Sequence, residues 1–220
     1  MVESIGTNAP KKYVVFGATG GTGTEIIKQG LEQGHHLTAY ARDPSKLAQF
    51  TSNERFKTVK GELEDHAAIE QAVSGQDAVF VCYGGREGLT TTTTICSVGT
   101  RAVLAAMKKV GGPQRIAVCS SWGCGPTNRS KLPFFIRMLL YKPLADKDIQ
   151  EADVEKSGLT YTIARPPRLM DGPRKNHYEA RLDQTCPVAQ INRADVADFM
   201  LKCVNENTFL NQAPAVCDLK

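Results

Sequence analysis

The chain has 220 residues, of which 41% are hydrophobic and 23% charged, and its formal net charge is +4 at pH 7. This is the ordinary composition of a globular chain that is long enough for one well-packed domain. No basic run indicates nucleic-acid binding, and no apolar run approaches the roughly 18 residues of a membrane span. We therefore expect a soluble cytoplasmic protein with one domain over residues 1–220, residues 1–11 being flexible.

Apolar strands and amphipathic helices alternate along the chain. The runs that predict strands are Tyr13–Phe16, Leu37–Tyr40, Phe56–Val59, Ala78–Cys82, Arg115–Cys119 and Tyr161–Ala164. The patterns that predict helices are Glu25–Gln33, Asp65–Val73, Val98–Val110, Asp146–Lys156 and Ala194–Asn205. Repeated strand–helix units predict an α/β domain with a doubly wound parallel sheet, the Rossmann fold.

Two segments without regular periodicity, Trp122–Pro143 and Pro166–Pro187, follow the carboxyl ends of predicted strands. Ligands of open α/β sheets bind at those strand ends. We therefore expect these segments to be irregular and to border the ligand site.

The first predicted strand runs directly into a glycine-rich turn that is followed by a predicted helix. Such a turn lets backbone N–H groups approach a pyrophosphate at a helix N-terminus, where the helix dipole favours negative charge. The strand before it and the helix after it make this glycine pattern specific. The residues predicted to hold the pyrophosphate are Gly17, Ala18, Thr19, Gly20, Gly21, Thr22 and Gly23.

The end of the second predicted strand indicates which dinucleotide binds. NAD-binding sheets carry an acidic residue there, whereas NADP-binding sheets carry a cation for the 2′-phosphate. This strand ends in Arg42, and Arg42, Ser45 and Lys46 together are able to clamp a phosphate. Asp43 leaves an alternative open, in which Arg42 and Asp43 form a loop ion pair. We predict NADP(H) as the cofactor.

The seven cysteines form no Cys-x-x-Cys pair and several lie in apolar runs. They predict buried free thiols in a reducing compartment, without disulfides. No His, Cys or carboxylate cluster has the spacing of metal ligands, so no metal is expected. Of the histidines, His35, His36 and His66 are expected at the surface.

The chain lacks the Tyr-x-x-x-Lys pair that classical short-chain dehydrogenases use as catalytic acid, because no tyrosine is followed by lysine at the fourth position. This absence argues against ordinary alcohol or ketone chemistry. It favours an acceptor that needs little acid help, such as a conjugated flavin or tetrapyrrole that delocalises the incoming charge.

Several motifs resemble the atypical, NmrA-like short-chain dehydrogenase/reductase family, and most closely its flavin reductase / biliverdin-IX-beta reductase group. The resemblance spans residues 12 to 205 and implies a monomeric NADPH-dependent reductase that passes hydride to flavins, bilins and similar small molecules. The motifs that carry it are Gly17–Gly23, Ala41–Leu47, Gly75–Val79, Ala105–Lys108, Ser157–Tyr161 and Arg165–Pro167.

The resemblance also implies roles for individual residues. Ser121 matches the family's active-site serine. The other positions that it places against the cofactor are Glu62, Leu63, Tyr83, Gly84, Cys119, Lys147, Pro166, Pro167 and Arg168. Arg168 is a departure, because the family's bilin reductases carry histidine there.

Each of these residues also has a plain structural interpretation. Ser121 could cap its loop, and Lys147 could be a solvated lysine paired with Glu151. Trp122 is a candidate stacking platform for a planar acceptor or a cover for the core edge. Arg174 is a candidate for attracting acidic groups of the acceptor or a solvated loop residue, and His177 a candidate proton donor.

Two other functions share this fold. One is an NADP(H)-sensing, NmrA-like regulator without turnover. The other is an isomerase or dehydratase that uses a tightly held cofactor, which the missing Tyr-x-x-x-Lys pair disfavours.

Overall fold

Six parallel strands form the central sheet of the computed structural model, which describes residues 9–84, 94–125 and 134–219. The strands are β1 (Lys12–Phe16), β2 (His36–Ala41), β3 (Phe56–Lys60), β4 (Ala78–Val81), β5 (Arg115–Cys119) and β6 (Thr160–Ala164). Their order is β3-β2-β1-β4-β5-β6, with every pairing parallel. This is the strand order of the doubly wound dinucleotide-binding fold, so the predicted fold class is confirmed.

Helices cover both faces of the sheet. They are α1 (Gly21–Glu32), α2 (His66–Val73), α3 (Ile95–Lys109), α4 (Phe134–Leu139), α5 (Tyr141–Glu155) and α6 (Arg193–Glu206), with a 3-10 helix at Pro44–Phe50. Alternation along β1 sends Tyr13 and Val15 to the core under α1 and α6, and Val14 and Phe16 to the core under α2, α3 and α5. Within the described residues, no helix has both the length and the apolar character needed to cross a bilayer.

The segments expected to be irregular contain regular structure. Two short strands, β7 (Arg168–Met170) and β8 (Tyr178–Arg181), lie within Pro166–Pro187. They pair with strands further along the chain, β7 with β9 (Gln190–Asn192) and β8 with β10 (Ala215–Asp218). Helix α4 and the start of α5 lie within the other segment. The prediction was wrong there because these strands are held by partners distant in the chain, which local periodicity does not show. Residues 1–8 of the expected flexible segment, and residues 126–133, lie outside the described part.

The cysteine prediction was wrong at one pair, because Cys186 and Cys217 form a disulfide. The antiparallel pairing of β8 with β10 brings the segment after β8 over Cys217, so that the two Cα atoms lie 5.8 Å apart. Spacing in the sequence, 31 residues, gives no sign of this contact. Five other cysteines are free thiols, and four of these are buried.

The expected surface position of His35 was also wrong, whereas His36 and His66 are exposed. The His35 side chain is only 3% exposed, its ring packs edge-on against Tyr13 at 5.0 Å, and its Nδ1 accepts a hydrogen bond from the Lys11 amide at 3.2 Å. It precedes β2, and the turn from α1 into β2 places it under β1.

Candidate active site

The glycine turn between β1 and α1 leaves the start of the helix open to an anion. Gly17 has a φ of 73°, and a Cβ there would overlap the Cys82 carbonyl oxygen, so only glycine fits. The Gly20 amide donates to the Gly17 carbonyl at 3.0 Å and closes the turn. At Gly23 a Cβ would overlap the same Gly17 carbonyl. Helix α1 has no side-chain cap and no acidic residue in its first turn, as a phosphate site requires.

A cavity of about 530 Å³ lies at the carboxyl ends of β1, β2 and β4. The order of the strands reverses between β1 and β4, and this switch point is where dinucleotides bind in such sheets. The structure thus brings together many of the predicted cofactor residues. Those that line the cavity are Gly17, Thr19, Gly20, Arg42, Lys46, Glu62, Leu63, Tyr83 and Gly84.

The predicted phosphate clamp is only partly available. Asp43 accepts hydrogen bonds from the Ser45 amide at 3.2 Å and the Ser45 hydroxyl at 2.5 Å, and it pairs with Lys46 at 3.8 Å. The Ser45 hydroxyl is the main reason that the pKa of Asp43 lies below its ordinary value. Among the described residues, Asp43 therefore pairs with Ser45 and Lys46 rather than with Arg42, which is exposed at the cavity.

Tyr83 and Glu62 both line the cavity, and contacts with neighbouring residues hold them in place. The Tyr83 side chain is 9% exposed and packs near Phe16 and Gly99, and burial raises the pKa of its hydroxyl. Glu62 uses its backbone carbonyl to accept from the Tyr40 hydroxyl at 2.6 Å. Both residues are thus fixed by their neighbours before any ligand binds.

Lys147 points from α5 to the ends of two central strands. Its Nζ donates to the Cys119 carbonyl at 3.0 Å and lies 3.5 Å from the Tyr83 carbonyl. Burial acts to lower the pKa of Lys147, and the Glu151 carboxylate acts to raise it. The two backbone carbonyls accept from Nζ and favour its charged form, so Lys147 is an ammonium directed at the sheet rather than at solvent.

Asp146, which the sequence analysis did not single out, sets the position of Lys147. Its carboxylate is buried and accepts from the amides of Cys96 and Ser97, both at 3.0 Å, so it caps α3 from α5. Gln150, one turn further along, donates to Thr100 at 2.8 Å. The i, i+4 spacing of Asp146 and Gln150 on one helix face was the available signal, although it does not reveal the partner.

Ser121 and Trp122 follow β5 in a tight turn. The Ser121 hydroxyl donates to the Trp122 carbonyl at 3.3 Å, and the Trp122 amide donates to the Pro166 carbonyl at 2.8 Å. The half-buried indole of Trp122 donates through Nε1 to the Gln184 carbonyl at 3.0 Å. Trp122 is therefore held at the junction of the two segments that follow β5 and β6.

Cys119 and the paired prolines complete this edge of the sheet. The Cys119 thiol is buried, which raises its pKa, so it is an unreactive neutral thiol. Pro166 is buried, Pro167 half-buried and Arg168 exposed. Arg165, just before them, forms a two-point ion pair with the buried Glu151 at 2.6 and 3.1 Å, which fixes the prolines relative to α5.

The structure does not bring Arg174 or His177 to the cavity. Arg174 binds Gln29 and Asp198 at 3.3 and 3.4 Å, on the α1–α6 side of the domain. His177 is exposed and precedes β8, and its carbonyl accepts from Leu219. Among the described residues, no group of three His, Cys, Asp or Glu side chains is able to hold a metal ion.

The fold and the site define the class of an NAD(P)H-dependent oxidoreductase. The chain belongs to the NAD(P)H-binding family, whose model matches residues 17–207. The predicted nicotinamide dinucleotide cofactor is therefore confirmed.

Two curated relatives show how far the sequence has diverged. The uncharacterized chloroplastic protein At2g34460 from Arabidopsis thaliana is 28% identical, over 88% of this chain and 72% of its own length. Oxidoreductase ptaF from Pestalotiopsis fici is 23% identical, over 89% of this chain and 79% of its own length.

Two solved structures share the fold. The anaerobillin reductase ChuY from Escherichia coli O157:H7 superposes with a TM-score of 0.81 and 21% identity, covering 95% of this chain and 98% of its own. A short-chain dehydrogenase/reductase from Veillonella parvula, solved in complex with NADP, has a TM-score of 0.80 and 19% identity, with 96% and 95% covered.

Proposed function

We propose that this protein is an NADPH-dependent reductase that transfers hydride to a conjugated acceptor such as a flavin or a bilin. One observation carries the proposal. The ammonium of Lys147 lies at the ends of the central strands, but the tyrosine that would accompany it in a Tyr-x-x-x-Lys pair is missing. The residue four positions before Lys147 is Pro143, the Tyr83 side chain is buried, and the Tyr40 hydroxyl is bonded to a carbonyl. An acceptor that delocalises the incoming charge needs no such acid.

The chain's own residues then act by positioning. The bound nicotinamide supplies the hydride. Lys147, whose Nζ lies at the ends of β4 and β5, would hold the nicotinamide ribose, and Pro166 and Pro167 would form an apolar shelf that excludes water. The Ser121 hydroxyl turns from the Trp122 carbonyl towards the acceptor and passes on a proton from water. Orientation and exclusion of water supply most of the rate enhancement in this arrangement.

The preference for NADPH rests on Arg42 and Lys46 at the cavity. A 2′-phosphate there meets two cations, and the guanidinium of Arg42 is not occupied by Asp43. Ser45 contributes less than predicted, because both its amide and its hydroxyl donate to Asp43. The NADP complex of the Veillonella protein of the same fold supports this preference.

The acceptor class has two further supports. Trp122 offers a half-buried indole next to Ser121 at the acceptor side of the sheet, suited to a planar molecule. The likeness in fold to ChuY, an anaerobillin reductase, supports an acceptor of this conjugated class.

NADPH oxidation by the purified protein tests the proposal. The acceptors compared are a flavin, biliverdin isomers, a quinone and a simple ketone, and we expect turnover with at least one conjugated acceptor and none with the ketone. Gly17→Val is the control, because it blocks the cofactor turn and must abolish turnover. Tight NADPH binding without oxidation by any conjugated acceptor would overturn the proposal in favour of a regulator, and turnover of the ketone alone would overturn the acceptor class.

A further inference from the structure

Arg193, which no sequence motif singled out, lies against the pyrophosphate turn. It is the first residue of α6, and Gly21 is the first residue of α1. A Cβ added to Gly21 would overlap Arg193 Cδ and would lie 2.9 Å from its Nε. The cationic end of the Arg193 side chain therefore covers the helix start at which the cofactor phosphates bind.

The partner of Arg193 in the free protein is easily displaced. Its Nη1 lies 2.6 Å from Oδ1 of Asp171, whose side chain is 91% exposed, while the Arg193 side chain is 28% exposed. An ion pair with so exposed a carboxylate adds little stability. The cation also stands in the first turn of α6, where the helix dipole disfavours positive charge. A pyrophosphate would compensate both disadvantages.

The charge of Arg193 also reaches the end of β5. Burial raises the pKa of Cys119, and Lys147 and Arg193 both act against that rise. Lys147 comes from α5 on one face of the sheet and Arg193 from α6 on the other. The end of β5, two residues before Ser121, is therefore within reach of both cations.

We propose that Arg193 is a cofactor-binding residue that closes over the pyrophosphate, exchanging its ion pair with Asp171 for the phosphate oxygens. The contact is charge-assisted and made by a planar fork of donors, which suits two adjacent phosphates. Asp171 is then a competitor of the cofactor for Arg193. The inference concerns cofactor binding alone and is independent of the identity of the acceptor.

The test compares two ligands that differ in the pyrophosphate. NADP carries it, whereas adenosine 2′-monophosphate carries only the phosphate expected at Arg42. For Arg193→Gln we expect the Kd of NADP to rise about 10- to 100-fold, the effect of one lost charge-assisted contact, with the Kd of adenosine 2′-monophosphate unchanged. The control is Arg101→Gln, which removes another ion-paired arginine, bonded to Asp153, and should change neither Kd.

Two further variants sharpen the result. Gly21→Ala displaces the Arg193 side chain and should weaken NADP binding without adding to the effect of Arg193→Gln in the double variant. Asp171→Asn should tighten NADP binding, and an unchanged or higher Kd would overturn the exchange. If Arg193→Gln bound NADP with the wild-type Kd, or if its affinity for NADP and for adenosine 2′-monophosphate fell equally, the role of Arg193 itself would be overturned.

Discussion

The exposed guanidinium of Arg42 determines, in our proposal, the choice between NADPH and NADH. Replacing Arg42 by glutamine removes a charge-assisted contact worth about 1.5–3 kcal/mol to a 2′-phosphate. Arg42 is exposed at the cavity and screened by water, so the lower part of this range, about 1.5–2 kcal/mol, applies. The kcat/KM for NADPH should therefore fall about 10- to 30-fold. NADH lacks the 2′-phosphate, and its kcat/KM should change less than about twofold.

The assay measures kcat/KM for both cofactors with one common acceptor. The matched control is Arg55→Gln, since Arg55 is also exposed but does not line the cavity. Lys46 remains in Arg42→Gln, so a residual preference for NADPH should persist until Lys46 is also replaced. A cofactor ratio that is unchanged in Arg42→Gln would show that the end of β2 does not read the 2′-phosphate.

Three other substitutions test the frame of the site. Lys147→Met removes the ammonium from the carbonyls of Cys119 and Tyr83. The Kd of NADPH, measured by fluorescence titration, should rise about tenfold, which is the effect of one lost contact to a charged group. An unchanged Kd would exclude Lys147 from the cofactor site. Glu151→Gln breaks the buried ion pair with Arg165 and should lower the free energy of unfolding, measured in urea, by about 3 kcal/mol. The control Glu70→Gln should lower it by about 1 kcal/mol or less, because its partner Lys109 is exposed. Equal losses in the two variants would contradict the special role of the buried pair. Burial and Lys11 lower the pKa of His35, so the unfolded chain binds its proton more readily. The stability that the neutral His35 contributes is therefore fully present above about pH 6.5 and is lost as the pH falls below it. Between about pH 7.5 and about pH 5.5, the free energy of unfolding should fall less in His35→Gln than in the wild type.

The central sheet was predictable because its inner strands, such as β4 and β5, are buried on both faces, whereas the edge strand β3 is exposed at three of its five residues. The inner strands are short apolar runs, and the predicted and observed bounds of the six strands differ by no more than one residue at any end. Helix α1 begins at Gly21 rather than at the predicted Glu25, because Gly20 caps a helix whose first turn is part of the glycine motif. The cofactor turn was predictable because its close backbone contacts leave no room for a side chain at Gly17 and Gly23, so the sequence must carry glycine there.

The remaining contacts were not predictable because they join residues far apart in the chain. Arg174 was expected to attract an acceptor, yet it is held by Asp198 of α6. Ser45 was expected to bind phosphate, yet its donors go to Asp43, two residues before it. A basic or hydroxyl side chain in a loop has several partners of equal chemical merit, and only the fold selects among them.

In our proposal, the cofactor side of the site depends on backbone geometry and the acceptor side depends on side chains of the irregular segments. The cofactor side is built from backbone atoms that approach the ligand closely, so few residues fit there. On the proposed acceptor side, Trp122 donates to the Gln184 carbonyl, and Cys186, two residues after Gln184, is joined to Cys217 of β10. The disulfide therefore ties the segment that holds Trp122 to the last strand. In our proposal, the acceptor is therefore selected by side chains of that segment, which the glycine motif of the cofactor turn does not constrain.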